Sequence, residues 1–180
     1  MTLNEDLSDV EAVLRGEIDR FEGIVARWEG PLVNLAWRYT RNEALAEEMA
    51  QEAFLHCFRK LRQWRRDAEF STWLFALAIN VYRSILRKRR PQIEEETALE
   101  VLAGACSTEA ELLEDEQNEI VRRAVTYLPE TYRDAIIIYH FDEMDLATTA
   151  SRLGLPEGTV KARLHRGRKL LKERLEKVLK

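Results

Sequence analysis

The sequence predicts an all-α protein of two small helical domains joined by an acidic linker. Three observations lead there. Apolar residues recur at three- and four-residue spacing through most of the 180-residue chain, with no convincing alternating run. Residues 91–119 hold ten acids and no Lys or Arg. Helix breakers, Pro31, Pro91, Pro129 and Gly154, stand between the apolar stripes.

In chain order, Phe21, Ile24, Val25 and Trp28 make a first stripe, and "GP" at 30–31 interrupts it. Pro31 suits a first helical turn, and Leu32, Leu35, Ala36 and Tyr39 continue as a second helix. A third runs through Ala50, Phe54, Cys57, Phe58 and Leu61. A fourth follows "QWRRDAEF", with Ser71 as its N-cap and Phe70 and Phe75 placed as a hydrophobic staple. Pro91 is its expected stop, which closes a four-helix unit near Arg90.

The linker then mixes acids with small residues, and its like charges should keep it extended. A new pattern begins around Leu113 and runs through Ile120, Val121, Ala124 and Leu128 to Pro129. "ETYRDAIIIYHF" is another helix. Asp145 caps a short one, "LATTASRL", which Gly154 closes, and Leu155 and Pro156 turn into the last. The domains therefore fall at 1–90 and 113–180, with 91–112 between them.

Charge points to the kind of partner. Residues 1–90 carry 15 basic and 14 acidic side chains, whereas 120–180 carry 13 and 8. The net charge of −4 thus hides a basic C-terminal segment behind one acidic stretch, the asymmetry expected of a protein that meets a polyanion. No run approaches the ~18 apolar residues that span a bilayer. The polar start "MTLNEDLSDVEAVLRG" is unlike a signal peptide, so a cytoplasmic, reduced location is expected. Cys57 and Cys106 make no disulfide framework.

The C-terminal end has a helix-turn-helix layout. On its last helix Val160, Leu164, Leu171 and Leu175 share the packing side, while Lys161, Ala162, His165, Arg166 and Lys169 project from the other. Long cations, a small residue and a ring suit base edges and phosphates in a major groove. Helix 72–90 has apolar residues on two faces and leaves a narrow stripe of Trp73, Ala76, Asn80, Arg83 and Arg87, ending in "RKRR". An aromatic beside amide and guanidinium groups suits single-stranded nucleic acid. Trp73 taken alone is more simply a core residue.

"AEEMAQEAFLHCFRKL", "EFSTWLFALAINVYRSILRKRR", "LPETYRDAIIIYHF" and "LGLPEGTVKARLHRGRKLL", in this order, resemble the extracytoplasmic-function (ECF) sigma factors of bacterial RNA polymerase. The likeness runs from about Asp19 to Leu175. It implies an N-terminal sigma region 2 domain that binds the polymerase clamp and recognises and melts the −10 element. It also implies a C-terminal sigma region 4 domain that reads the −35 duplex. By position, Glu47, Glu48, Gln51 and Glu52 correspond to polymerase contacts. The loop "RRDAEF" and the stripe Asn80, Arg83 and Arg87, with Trp73, correspond to the −10 reader. Lys161, Ala162, His165, Arg166 and Lys169 correspond to the −35 reader, with Arg163 and Arg168 nearer the phosphates. The resemblance further implies core RNA polymerase and promoter DNA as partners, and an anti-sigma factor, often membrane-anchored. "LATTA" departs from the family pattern, since Thr149 stands where a buried Ile is usual and Thr148 replaces a carboxylate.

Enzyme readings find little. His56, Cys57, Cys106, His140 and His165 lack zinc spacing, and there is no glycine-rich phosphate loop or nucleophile motif. No catalytic residue, metal, cofactor or small-molecule substrate is expected. The acids of "AEEMAQE" lack the His or Lys a nuclease metal site needs. The rival readings are a helix-turn-helix regulator acting without polymerase core, which a polymerase pull-down separates, and a pure protein-interaction module.

Overall fold

The computed structural model describes residues 2–102 and 120–178. It is all-α, with no strand among the described residues. The helices are α1 (Thr2–Leu14), α2 (Phe21–Thr40), α3 (Glu43–Lys60) and α4 (Phe70–Leu102). After the acidic segment come α5 (described over 120–126), α6 (Glu130–Ile136), α7 (Leu146–Leu153) and α8 (Glu157–Val178). A π-helical turn, Ile137–Phe141, prolongs α6.

The expected break at Gly30-Pro31 does not occur. α2 is one helix of 20 residues with Pro31 inside it. Gly30 and Pro31 face solvent, so the missing N–H and the ring fall on the outer side. Ile24, Leu32, Leu35, Ala36 and Tyr39 are buried on both sides of the proline, and that shared stripe holds the two halves in line. Pro31→Ala is therefore expected to stabilise the fold by about 1–3 kcal/mol, read as a raised midpoint in urea unfolding. Arg41, in the left-handed region at φ 55°, ends α2. Asn42 starts α3 by accepting from the Leu45 backbone N–H at 2.9 Å.

The first core gathers Tyr39, Met49, Cys57, Leu61, Leu74, Ile79 and Tyr82, all at most 2% exposed. The Tyr82 hydroxyl donates to the Leu32 carbonyl at 2.9 Å, which satisfies the phenol inside the bundle. Burial pushes the Cys57 thiol up to about 12, so it is protonated and inert at neutral pH.

α1 escaped the sequence reading because its inward residues include acids. Asp6 and Asp9 are 3% and 4% exposed. Asp6 accepts from Arg27 Nε at 2.9 Å and Trp28 Nε1 at 3.0 Å, and Asp9 pairs with Arg27 and Arg20, each at 2.6 Å. Val10 and Ala12 fill the remaining space against the bundle.

α4 departs from expectation at both ends. It begins at Phe70, so Ser71 lies inside it and is no cap. Phe70 packs between Trp64 and Trp73, with centroids 5.3 and 5.8 Å away, while Phe75 meets Trp28 at 5.9 Å, so the staple does not form. At its other end α4 continues through Pro91 to Leu102, so the first part of the expected extended linker is helical. Glu, Ala and Leu, strong helix formers, dominate residues 94–102. The linker residues 103–112 and the restart at 113–119, including Cys106 and Leu113, lie outside the described residues.

In the second half the expected caps are present. Asp145 accepts from the Thr148 N–H at 2.7 Å, and Gly154 closes α7 at φ 64°, a left-handed position that favours glycine. Thr149 is fully buried, and its hydroxyl donates to the Asp145 carbonyl at 2.8 Å. The "LATTA" departure thus leaves no orphaned polar atom at that hydroxyl. Val160 and Leu164 of α8 are buried, with Leu171 packed behind them. Gly167 seats α8 on α6, where an added Cβ would come within 3.2 Å of Ile136 and 3.3 Å of Tyr132. The two halves touch: α4 packs on α7, and α2 on the π-helical turn.

Candidate polymerase and nucleic-acid surfaces

The last helix presents the two faces its sequence foretells. Lys161, Ala162, His165, Arg166 and Lys169 are all exposed, opposite buried Val160 and Leu164. Arg163 is half-buried at the edge of that row. Arg168 is exposed but engaged, because its Nε donates to His140 Nε2 at 3.1 Å. Burial, helped by the Arg168 charge, lowers the His140 pKa and favours the neutral ring that can accept this bond.

α3 offers a second surface. Glu47, Glu48 and Gln51 are exposed and Glu52 is half-buried. Glu48 accepts from Arg89 of α4 at 2.6 and 2.8 Å, so this acidic helix meets the basic end of its neighbour. Glu52 lies 3.4 Å from His56 one turn on. Among these acids stands Leu55, 50% exposed, with Phe58 41% exposed on the next turn. Leu55 was missed, although the stripe of Phe54, Cys57 and Leu61 leaves it on the outer side. An exposed leucine flanked by carboxylates is the composition of a protein-docking face rather than a metal site. Among the described residues no group of three or more His, Cys, Asp or Glu is arranged to hold a metal.

The stripe on α4 is in a different situation. Trp73 is half-buried against Phe70, and Asn80 is exposed, its Oδ1 accepting from Arg83 at 3.1 Å. The Arg83 Nε donates to Asp134 of α6 at 2.7 Å and lies 3.6 Å from Glu130. Arg87 reaches Glu130 at 3.3 Å. Asp134 is fully buried, and burial raises its carboxyl while Arg83 and Arg133 draw it back down. Its Oδ1 and the neighbouring buried Tyr39 hydroxyl have no partner of good geometry. Burial and the Asp134 charge hold that phenol well above its ordinary pKa.

Comparison with known proteins shows the family. Residues 24–92 match Sigma-70 region 2, and residues 118–171 match Sigma-70, region 4. The ECF RNA polymerase sigma factor SigW of Bacillus subtilis is 30% identical over 176 residues, 92% of this chain and 94% of its own. This chain belongs to the ECF sigma factors. The factor is accordingly a transcription initiation factor, not an enzyme. Two solved structures share its fold. CnrH in complex with the cytosolic domain of CnrY superposes with TM-score 0.65 at 22% identity, covering 96% of this chain and 97% of CnrH. RpoE in complex with the anti-sigma factor NepR, from Bartonella quintana, gives 0.59 at 21%, covering 87% and 96%.

Of the residues singled out in the factor's sequence, those of α8 form one accessible row. Those of α3 form a second accessible face. On α4, Arg83 and Arg87 are joined to the other domain, while Trp73 packs on Phe70 and Asn80 meets Arg83. No helix among the described residues of the factor is long and apolar enough to cross a membrane.

Proposed function

We propose that the two domains divide promoter recognition between them. Residues 1–90 act as the region 2 domain, binding core RNA polymerase and the melted −10 strand. Residues 91–112 link it to the region 4 domain at 113–180, which reads the −35 duplex. The observation that carries this is the order of the two family matches, each containing a surface of fitting chemistry.

Glu47, Glu48, Gln51 and Glu52 contact the polymerase clamp, with Leu55 as an apolar anchor among them. Asn80, Arg83, Arg87 and Trp73 hold the unpaired −10 bases. Lys161, Ala162, His165, Arg166 and Lys169 face the −35 groove, with Arg163 and Arg168 toward its phosphates. The factor works in the cytoplasm, where polymerase and promoters are. An anti-sigma factor is its expected inhibitor, a reading supported by the neighbour solved with NepR. The neighbour solved with a cytosolic domain of its partner fits a membrane-anchored one.

Run-off transcription with core polymerase on a randomised promoter library tests the whole reading. Sequence-selected transcripts are expected, and their absence overturns it. The clamp face has its own test. Charge reversal of both Glu48 and Glu52 is expected to weaken holoenzyme formation about tenfold or more, with the circular dichroism spectrum and −35 duplex binding unchanged. Unaltered assembly in gel filtration with core polymerase removes α3 from the interface.

A further inference from the structure

We propose that α1 is part of the apparatus that reads the −10 element, with Glu11 as a positioning residue for the loop "RRDAEF" at 65–70. This rests on the reading of that loop as part of the −10 reader. α1 itself lies before the span that matches Sigma-70 region 2. The first observation is the loop's own shape. Arg65, Arg66, Asp67, Ala68 and Glu69 are exposed, between half-buried Trp64 and buried Phe70. Trp64 Nε1 donates to the Ala68 carbonyl at 3.0 Å, which closes the loop over its own root. Inside that closure Arg66 takes a left-handed conformation, φ 64°, where a residue with a Cβ is disfavoured. Such a conformation persists only where its surroundings hold it.

The hold on Arg66 comes from α1. Its guanidinium pairs with the Glu11 carboxylate at 3.0 Å and lies 6.0 Å from the Trp64 ring. α1 is a firm support for that pair, because it is fastened to α2 by charges out of solvent. Asp6 and Asp9, both buried, are bound by Arg27, and Asp9 also by Arg20. Gly23 lets α1 come this close, since a Cβ there would lie 2.7 Å from the Asp9 carboxylate. α1 also packs on the turn Leu61–Gln63, which leads into the loop, and on α4, which follows it. The Glu11 contact carries that support to the loop's exposed middle. With side chains 52% and 42% exposed, the pair adds little to overall stability. Its consequence is geometric, because a loop that selects a base must present one shape.

The test uses holoenzyme, the full-length factor with core polymerase, on promoters selected by run-off and then substituted at single −10 positions. Transcription from the preferred base over the substituted one reads selectivity, and thermal unfolding reads the fold. Glu11→Ala and Glu11→Arg are expected to cut that ratio about threefold to fivefold at one −10 position, the most that a pair so exposed supplies. The melting midpoint and the −35 preference should not change. The exchange Glu11→Arg with Arg66→Glu restores the pair and is expected to recover the ratio, and failure to recover it overturns the pairing as the cause. Unchanged selectivity in both single variants overturns the proposal. So does a loss spread evenly over all promoters, which would mark α1 as a general support. Arg65→Ala and Asp67→Ala judge the loop itself. If they alter −10 selectivity while the Glu11 variants do not, the loop reading stands and the brace falls. If they leave it unchanged, the loop reading fails and the brace falls with it.

Discussion

Lys161→Ala and Arg166→Ala are each expected to cost about 1–3 kcal/mol in binding a matched −35 duplex, and much less on a scrambled one. Both side chains are exposed on the face of α8 opposite Val160 and Leu164, on either side of His165. A cation that meets a base edge loses bidentate geometry when the base changes, so its removal flattens preference at one promoter position. Lys172 should behave otherwise. It lies two turns further along, 3.9 Å from Glu176, and its side chain is 78% exposed. Its loss should weaken all sequences alike and reduce the salt dependence by roughly one unit of slope. A salt titration of the full chain on matched and scrambled duplexes makes the comparison. Equal losses on both for Lys161→Ala and Arg166→Ala would mean that α8 holds DNA without reading it.

Arg83→Ala and Asn80→Ala are expected to impair open-complex formation in holoenzyme while leaving initial duplex binding nearly intact. Extruded bases can be held only after the strands separate, so a loss confined to melting identifies a single-strand contact. Stacking and cation contacts are worth about 1–3 kcal/mol per base, which sets roughly a tenfold or larger drop in the open fraction. Permanganate reactivity of unpaired thymines reads it. Normal reactivity in both variants would leave the stripe as a purely structural seam between the domains.

The parts legible in the sequence are those where polarity and position agree. α7 and α8 could be placed because Asp145 and Gly154 are unambiguous caps and because α8 separates its leucines from its cations cleanly. α1 was not legible, since Asp6 and Asp9 point inward and a hydrophobic pattern is blind to acids buried on arginine. Pro31 misled because proline breaks a helix only where its missing bond and ring fall on a face that cannot tolerate them. α4 likewise continues past Pro91. The residues of the α4 stripe were found, but their engagement was not. Arg83 meets a partner 51 positions away and Arg38 one 104 away, and charge pairing over such separations leaves no local trace. Leu55 was not legible because a single exposed leucine on an amphipathic helix carries no signal by itself.

Gly167 ties the orientation of α8, the proposed DNA-reading helix, to its neighbour. With no side chain between them, α8 rests directly on the flanks of Tyr132 and Ile136, so the shape of α6 there helps set how α8 sits. On the proposed reading of α8, promoter preference can therefore drift without any change in the row from Lys161 to Lys169. A bulkier or slimmer side chain at position 132 or 136 would pivot the whole row from Lys161 to Lys169 against the groove. Two factors with identical reader residues but different seats beneath this glycine need not share a promoter.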